Sequence, residues 1–221
     1  MNALVNTLVI APLLIPLIGG ILLLLTRGWV PLAVRRSLNL ALVGLNLLAV
    51  LALLGLVAGG QILTEQLGNW AAPFGIALVA DRLSVWMLLI TALLALFALL
   101  YAIRGTDRGS RHFHPLFQLQ LFGINGAFLT GDLFNLFVFF EVLLLASYGL
   151  LLHGGGAARV RAGLHFVILN LVGSTLFLFA VGTLYALLGT LNMADMALRV
   201  AQVPPEDLGI VRVAGLLLFG V

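Results

Sequence analysis

A single carboxylate interrupts a long apolar run. Residues 131–154 read GDLFNLFVFFEVLLLASYGLLLHG, with Glu141 near the middle. A helix from Asp132 to Leu152 rises about 31 Å and places Glu141 about 13.5 Å inside, near the centre of a bilayer. A charged carboxylate at that depth costs on the order of 2.5–3.5 kcal/mol on insertion scales. Its neighbours three and four residues away are Phe137, Val138, Leu144 and Leu145, so nothing on its own helix face relieves that cost. The side chain must therefore face protein and be protonated, paired or hydrated. Two roles remain open: a structural hydrogen bond between helices, or a proton or cation relay. Intramembrane ionisable residues favour the relay, because a carboxyl whose cationic partner comes and goes is a protonation switch. Neither Arg82, at an outer membrane boundary, nor His165, near the opposite one, matches the depth of Glu141.

Other polar side chains sit at membrane depth. Gln118 and Asn125 are seven residues apart and share a face, which must look into protein or water. Asn170 and Ser174, one turn apart, line a wet path or bond between helices. His165 is a relay, since histidine titrates near neutral pH, or an amphipathic ring at the headgroups. His112 and His114 are expected at the interface. Asp132 reads as a helix N-cap close to an outer mouth. His153-Gly154-Gly155-Gly156 matches the oxyanion-hole tetrapeptide of some esterases, but no G-x-S-x-G elbow occurs, so the glycines are expected to make a tight turn. The chain has no cysteine, which excludes disulfides and thiolate-held metals, and nothing calls for a cofactor or a metal.

These residues need membrane helices to hold them. Hydrophobic residues make up 62% of the chain and charged residues 9%, against about 25% charged in a soluble domain, and the mean hydropathy is +1.20. The expected fold is an all-α polytopic membrane protein of six transmembrane helices plus the start of a seventh. The spans are placed at 4–26 (with Pro12 and Pro16), 38–58, 82–101, 113–129, 132–152 and 162–188. Gly55-x-x-x-Gly59 is a possible close-packing site. Residues 60–79, including Pro73, hold the longest polar connection, whose second half alternates as a short hairpin would. Residues 192–209 read as another polar loop. After Arg212 only nine apolar residues follow, so a helix cut short is expected. The basic excess is all arginine, at helix ends and not in one patch, so nucleic acid is not a partner.

The series VADRLS…LLYA, HPLFQLQLFGINGAFLTGDLFNLFVFFEVLLLASYGLLLHG, GLHFVILNLVGS and GTLNMADMA closely resembles the D-type subunit of Mrp-type monovalent cation/proton antiporters. That subunit groups with the antiporter-like, proton-pumping subunits of respiratory complex I and membrane-bound hydrogenases. The resemblance implies about fourteen helices built around two inverted repeats, each with a broken helix. Residues 1–110 would be the first three helices and 111–221 the start of the first repeat, with the chain as an N-terminal fragment. It implies that Glu141 pairs with a lysine of the broken seventh helix, expected just beyond Val221. Implied too are the other subunits of a hetero-oligomeric membrane complex as partners, protons and a monovalent cation such as sodium as cargo, and a bacterial cytoplasmic membrane location. The implied function is a proton-translocating transporter subunit, not an enzyme. Alternatives are a proton pump within a redox complex and a non-transporting membrane scaffold.

Orientation follows from the arginines. Arg27, Arg35, Arg36, Arg104, Arg108, Arg111, Arg159 and Arg161 flank one side, and Arg82, Arg199 and Arg212 the other. This bias places the arginine-rich turns in the cytoplasm and the N-terminus outside. Single cysteines introduced at Gly155 and Gln202 of this cysteine-free chain test the assignment. On intact cells an impermeant thiol reagent is expected to label Gln202→Cys and spare Gly155→Cys; the reverse pattern inverts the topology.

Overall fold

Proline and glycine punctuate the chain, and the helices run between them. In the computed structural model, which describes residues 2–69 and 75–220, the elements are α1 (Asn2–Thr26), α2 (Leu32–Val57), β1 (Leu63–Gln66), β2 (Ala77–Ala80), α3 (Arg82–Ala102), α4 (Phe113–Leu129), α5 (Leu133–Leu151), α6 (Ala157–Leu188), α7 (Met193–Val200) and α8 (Leu208–Gly220). α1, α2, α3, α5 and α6 are long and apolar enough to cross a membrane. α4 has 17 residues and α8 has 13.

The helix ends explain where sequence and structure part. α2 begins six residues before the expected span, directly after Pro31, because Arg35 and Arg36 are anchored while still helical. α6 begins at Ala157, five residues early. Gly154, Gly155 and Gly156 all have positive φ (89°, 70° and 102°), and good helix formers follow at once. Since a side chain is strained at Gly155, exposed Ala158 is the gentler cysteine site in the same turn. α3 opens with a capping box: Asp81 Oδ1 accepts from Ser84 N (2.7 Å) and Ser84 Oγ accepts from Asp81 N (2.9 Å). The expected loop at 192–209 contains α7, an amphipathic helix capped by Asn192 and braced by an Arg199–Asp195 pair at 3.1 Å. Arg199 Nη1 also donates to the Leu188 carbonyl (3.0 Å) at the C-terminus of α6, where Gly189 turns left-handed. The expected hairpin forms, but from both ends of the connection: Leu63 pairs with Ala80 and Gln66 with Ala77, antiparallel. Pro73 lies outside the described residues.

α4 lies at the centre, packing chiefly on α5 and α1. One apolar core joins α1, α2, α3, α4 and β2 through Val9, Leu53, Leu78, Leu88 and Leu129. A second, at the other end of those helices, holds Val43, Leu99, Phe113 and Leu121. A third, of Leu133, Leu184, Leu188 and Val211, ties α5, α6 and α8. The closest approach is between α4 and α5. A Cβ at Gly123 would fall 2.7 Å from the backbone N of Leu143, and one at Gly126 would fall inside the Phe139 ring at 2.1 Å. On α5, a Cβ at Gly149 would meet Leu116 at 2.7 Å. The pairs 116/149, 123/143 and 126/139 trace one antiparallel seam. By contrast, Gly55 and Gly59 have nothing within 4 Å, so the small-residue motif expected to pack closely faces open space.

Gly123→Ala must push backbone against backbone, so it is expected to destabilise by about 1–3 kcal/mol. Gly55→Ala, in open space, is expected to be neutral or stabilising by up to about 1 kcal/mol. Thermal unfolding of the two variants in detergent checks the contrast.

Candidate functional site

The α4 seam decides where Glu141 points. Phe139 and Leu143 are committed to Gly126 and Gly123, and a residue midway between them on a helix faces the opposite way. Glu141 therefore turns from α4 toward α6, where the Ser174 hydroxyl donates to its Oε1. Glu141 is half-buried, and none of the ion pairs among the described residues includes it. Beside it lies a groove of ≈ 480 Å³ between α5 and α6, lined by Phe137, Phe140, Leu144, Asn170, Ser174 and Phe177 and reached by Leu218 of α8. The groove is apolar apart from Asn170 and Ser174, and Asn170 Nδ2 donates to the Phe166 carbonyl of its own helix (2.7 Å). Of the two, Ser174 is the one that bonds between helices.

His165 is not brought to this place. It is exposed, its Nδ1 is 2.9 Å from the Arg161 carbonyl, and nine residues separate it from Ser174, about 13.5 Å along α6. Asn125 is fully buried on the other side of α4, and its Nδ2 donates to the Pro12 carbonyl at 2.7 Å. Pro16 has no N–H, so Pro12 O loses its helical donor and Asn125 supplies another. Asp132 caps α5, accepting from Asn135 N at 2.8 Å. Burial pushes its carboxyl upward, opposed by the Asn135 and Phe134 backbone N–H groups. Around it three segments are stitched together: Gly131 N to Ala77 O (2.8 Å), Leu133 N to Leu191 O (2.9 Å) and Met193 N to Gly131 O (2.8 Å). Asp132 thus sits in the joint that binds β2, α5 and α7.

A second polar cluster occupies the arginine-rich end. Asp107, in a short 3-10 turn before α4, takes a bidentate pair from Arg36 Nε (2.5 Å) and Nη2 (2.6 Å). His114 Nε2 lies 3.3 Å from Asp107 Oδ2, and its Nδ1 lies 2.8 Å from Asn39 Nδ2. Gln118 Nε2 donates to Asn39 Oδ1 at 2.6 Å. His114, the second residue of α4, is 1% exposed and so covered by protein, and an acidic neighbour reaches it from the preceding loop. The spacing of Gln118 and Asn125 signalled a buried face; nothing in sequence signalled that Asp107 folds back onto it. His112 does sit at the surface, its Nε2 2.5 Å from Arg27 Nη1. Among the described residues no group of three His, Cys, Asp or Glu side chains stands ready for a metal.

Residues 130–221, from the Asp132 cap through α8, match the family model described as "NADH:quinone oxidoreductase/Mrp antiporter, TM". The chain is 56% identical over 153 residues, 69% of its length, to a probable K(+)/H(+) antiporter subunit of the D type from Rhizobium meliloti (strain 1021). It is 41% identical over 210 residues, 94% of its length, to a Na(+)/H(+) antiporter subunit of the same type from Alkalihalophilus pseudofirmus. Over residues 130–221 the chain matches this antiporter-like family, and over most of its length it is similar to D-type antiporter subunits. It spans 28% and 42% of the length of those two relatives. A chain in the solved Mrp complex from Dietzia sp. DQ12-45-1b superimposes with a TM-score of 0.84 at 32% identity, covering 97% of this chain and 40% of that one. The fold is thus that of a multi-pass membrane antiporter-like subunit.

In this antiporter-like chain the Arg36 pair holds the Asp107 carboxyl below the usual carboxylate range, against the cost of its burial. A depressed native value means the stabilisation is complete above the unfolded value near 3.9 and is lost as pH falls through the native one. Asp107→Asn is therefore expected to lower the thermal unfolding temperature at neutral pH, with the gap to the parent closing only in acid, below about pH 4. Equal stability at neutral pH would show that the pair contributes nothing.

Proposed function

We propose that this chain forms the proton-handling part of the D-type subunit in a multisubunit monovalent cation/proton antiporter, with Glu141 as the intramembrane proton site. The observation that carries this reading is a carboxyl near the midpoint of α5, turned away from α4, whose one hydrogen-bond partner among the described residues is the Ser174 hydroxyl of α6. A neutral hydroxyl supplies no charge to pair with a carboxylate at membrane depth, so the pairing falls to a cation that comes and goes. The groove beside it, between α5, α6 and α8, is where a basic side chain from further chain or a neighbouring subunit would approach. Proton passage then alternates between pairing and release. α4 counts as the fourth span, α8 begins the seventh, and the arginine bias puts the N-terminus outside a bacterial cytoplasmic membrane. Two relatives are named for potassium and for sodium, so the cargo is a monovalent cation. The family description also names NADH:quinone oxidoreductase, which supports a second reading, a redox-driven proton pump built on the same carboxyl.

The test uses the full-length protein in its complex, in vesicles from an antiporter-deficient strain, reading cation-driven dequenching of a pH-gradient dye. Glu141→Gln and Glu141→Ala are expected to assemble yet lose at least about tenfold in exchange, a barrier increase of about 1.4 kcal/mol. Glu141→Asp is expected to retain part of it. A Gln variant that assembles and exchanges at the parent rate makes Glu141 structural.

A further inference from the structure

The arginine-rich end holds a buried histidine whose hydrogen bonds admit one protonation state at a time. Gln118 donates to Asn39 Oδ1, which turns Asn39 Nδ2 toward His114. An amide nitrogen only donates, so His114 Nδ1 must accept and its ring proton must sit on Nε2. That places the proton on the nitrogen 3.3 Å from Asp107 Oδ2, where a lone pair would be repelled. Gln118 and Asn39 therefore point their hydrogens one way, toward His114, whose Nε2–H lies beside the Asp107 carboxylate without a well-aimed hydrogen bond to it.

We propose that His114 is a second proton-binding site of this chain, separate from Glu141, and that its ligand is a proton from the aqueous phase at the arginine-rich end. Once Nδ1 carries a hydrogen, Asn39 Nδ2 has nothing to donate to. Asn39 must turn its Oδ1 to the ring, its Nδ2 then meets Gln118, and Gln118 must turn its own oxygen inward. Binding one proton thus reverses the polarity of the chain from His114 to Gln118 while the His114–Asp107 contact persists and strengthens. No bond other than N–H forms, and the water that delivers the proton is left as hydroxide.

The surroundings are poised for this. Asp107 is buried but is flanked by exposed Thr106 and Arg108, a short path from solvent. Burial opposes a charged ring; facing it are Asp107 from the loop, which attracts the cation, and Arg35 and Arg36 from α2, which repel it. α1 contains no titratable side chain, and at this end of α3 the one such residue is Tyr101, which is exposed. His153, from the α5–α6 turn, touches the Phe113 ring that also contacts His114. One anion is thus set against two guanidinium groups, of which Arg36 is engaged by that anion. Gln118 shares its face with Asn125, which holds the Pro12 carbonyl and approaches Asn46 at 3.4 Å.

The test is solid-state NMR of full-length protein labelled with nitrogen-15 at histidine, asparagine and glutamine in lipid bilayers, with His114 assigned from the His114→Gln difference. At the alkaline end of roughly pH 5 to 8 the ring is expected as the neutral Nε2–H tautomer, becoming imidazolium as pH falls. The Asn39 and Gln118 side-chain amide signals are expected to shift over the same interval. Should His114→Gln not fold, Asn39→Asp keeps the ring and replaces the donor with an acceptor. One histidine should then be imidazolium at a pH where the parent is neutral. A ring that stays neutral throughout, that carries its proton on Nδ1, or that titrates while both amides stay fixed overturns the proposal. None of these readouts depends on transport, so they stand or fall apart from the Glu141 reading.

Discussion

The seam between α4 and α5 is the constraint from which the rest follows. Gly123 and Gly126 let the two helices approach until side chains of α5 lie on the backbone of α4. In a membrane, where lipid is as apolar as leucine, such van der Waals fit and interhelical hydrogen bonding hold helices together. The seam also fixes rotation. With Phe139 and Leu143 committed to α4, Glu141 has one direction left, and α6 meets it there with Ser174. A change in the seam would move the carboxyl without touching it.

A second constraint is that no polar group in the interior can be left to water. At several points the chain meets this demand with donors supplied across helices. Asn125 supplies the donor that Pro16 takes from α1, Arg199 closes the last turn of α6, and Arg82 Nη2 donates to the Ala58 carbonyl that ends α2. The polar residues of the spans are thus partly the fastenings of kinked and terminated helices. Glu141 is different in kind. It is ionisable, it sits opposite the tightest helix contact, and its one partner among the described residues is a hydroxyl beside an apolar groove.

The two ends are built differently. At one, backbone joins β2, the 130–133 turn and the start of α7, with Asp132 capping the helix that carries Glu141. At the other, side chains do the joining: Arg36 and His114 grip Asp107, Arg35 Nη1 donates to the Arg111 carbonyl, and His153 Nε2 donates to Thr106 O at 2.6 Å. A joint of backbone hydrogen bonds is indifferent to pH, whereas a joint of carboxylate, imidazole and guanidinium is not. Glu141 is thus carried by a helix with one end fixed by backbone and the other adjoining a titratable joint.

By itself, the sequence determined what the solvent dictates. Long apolar runs in lipid must be helices, and the ends of α3, α4 and α5 were legible to within a residue or two, because Asp81, Pro115 and Asp132 mark them chemically. Glu141 was legible because one charge in an apolar helix has no bland explanation, and the buried face of Gln118 and Asn125 because their spacing is two helical turns. Short-range signals failed where anchors lie far away in sequence. α2 and α6 start early because arginines and glycines hold turns that hydropathy counts as loop, and the eight residues of α7 are too few to show a period. Only the tertiary structure decided the partners. Ser174 for Glu141, Pro12 for Asn125, and Asp107 and Asn39 for His114 are separated from them by 33, 113, 7 and 75 residues. The small-residue pattern likewise named Gly55 and Gly59, which meet nothing, whereas Gly123 and Gly126 form the seam. Pattern shows that a face is fit for close approach, but which helix arrives there is settled by packing the whole bundle.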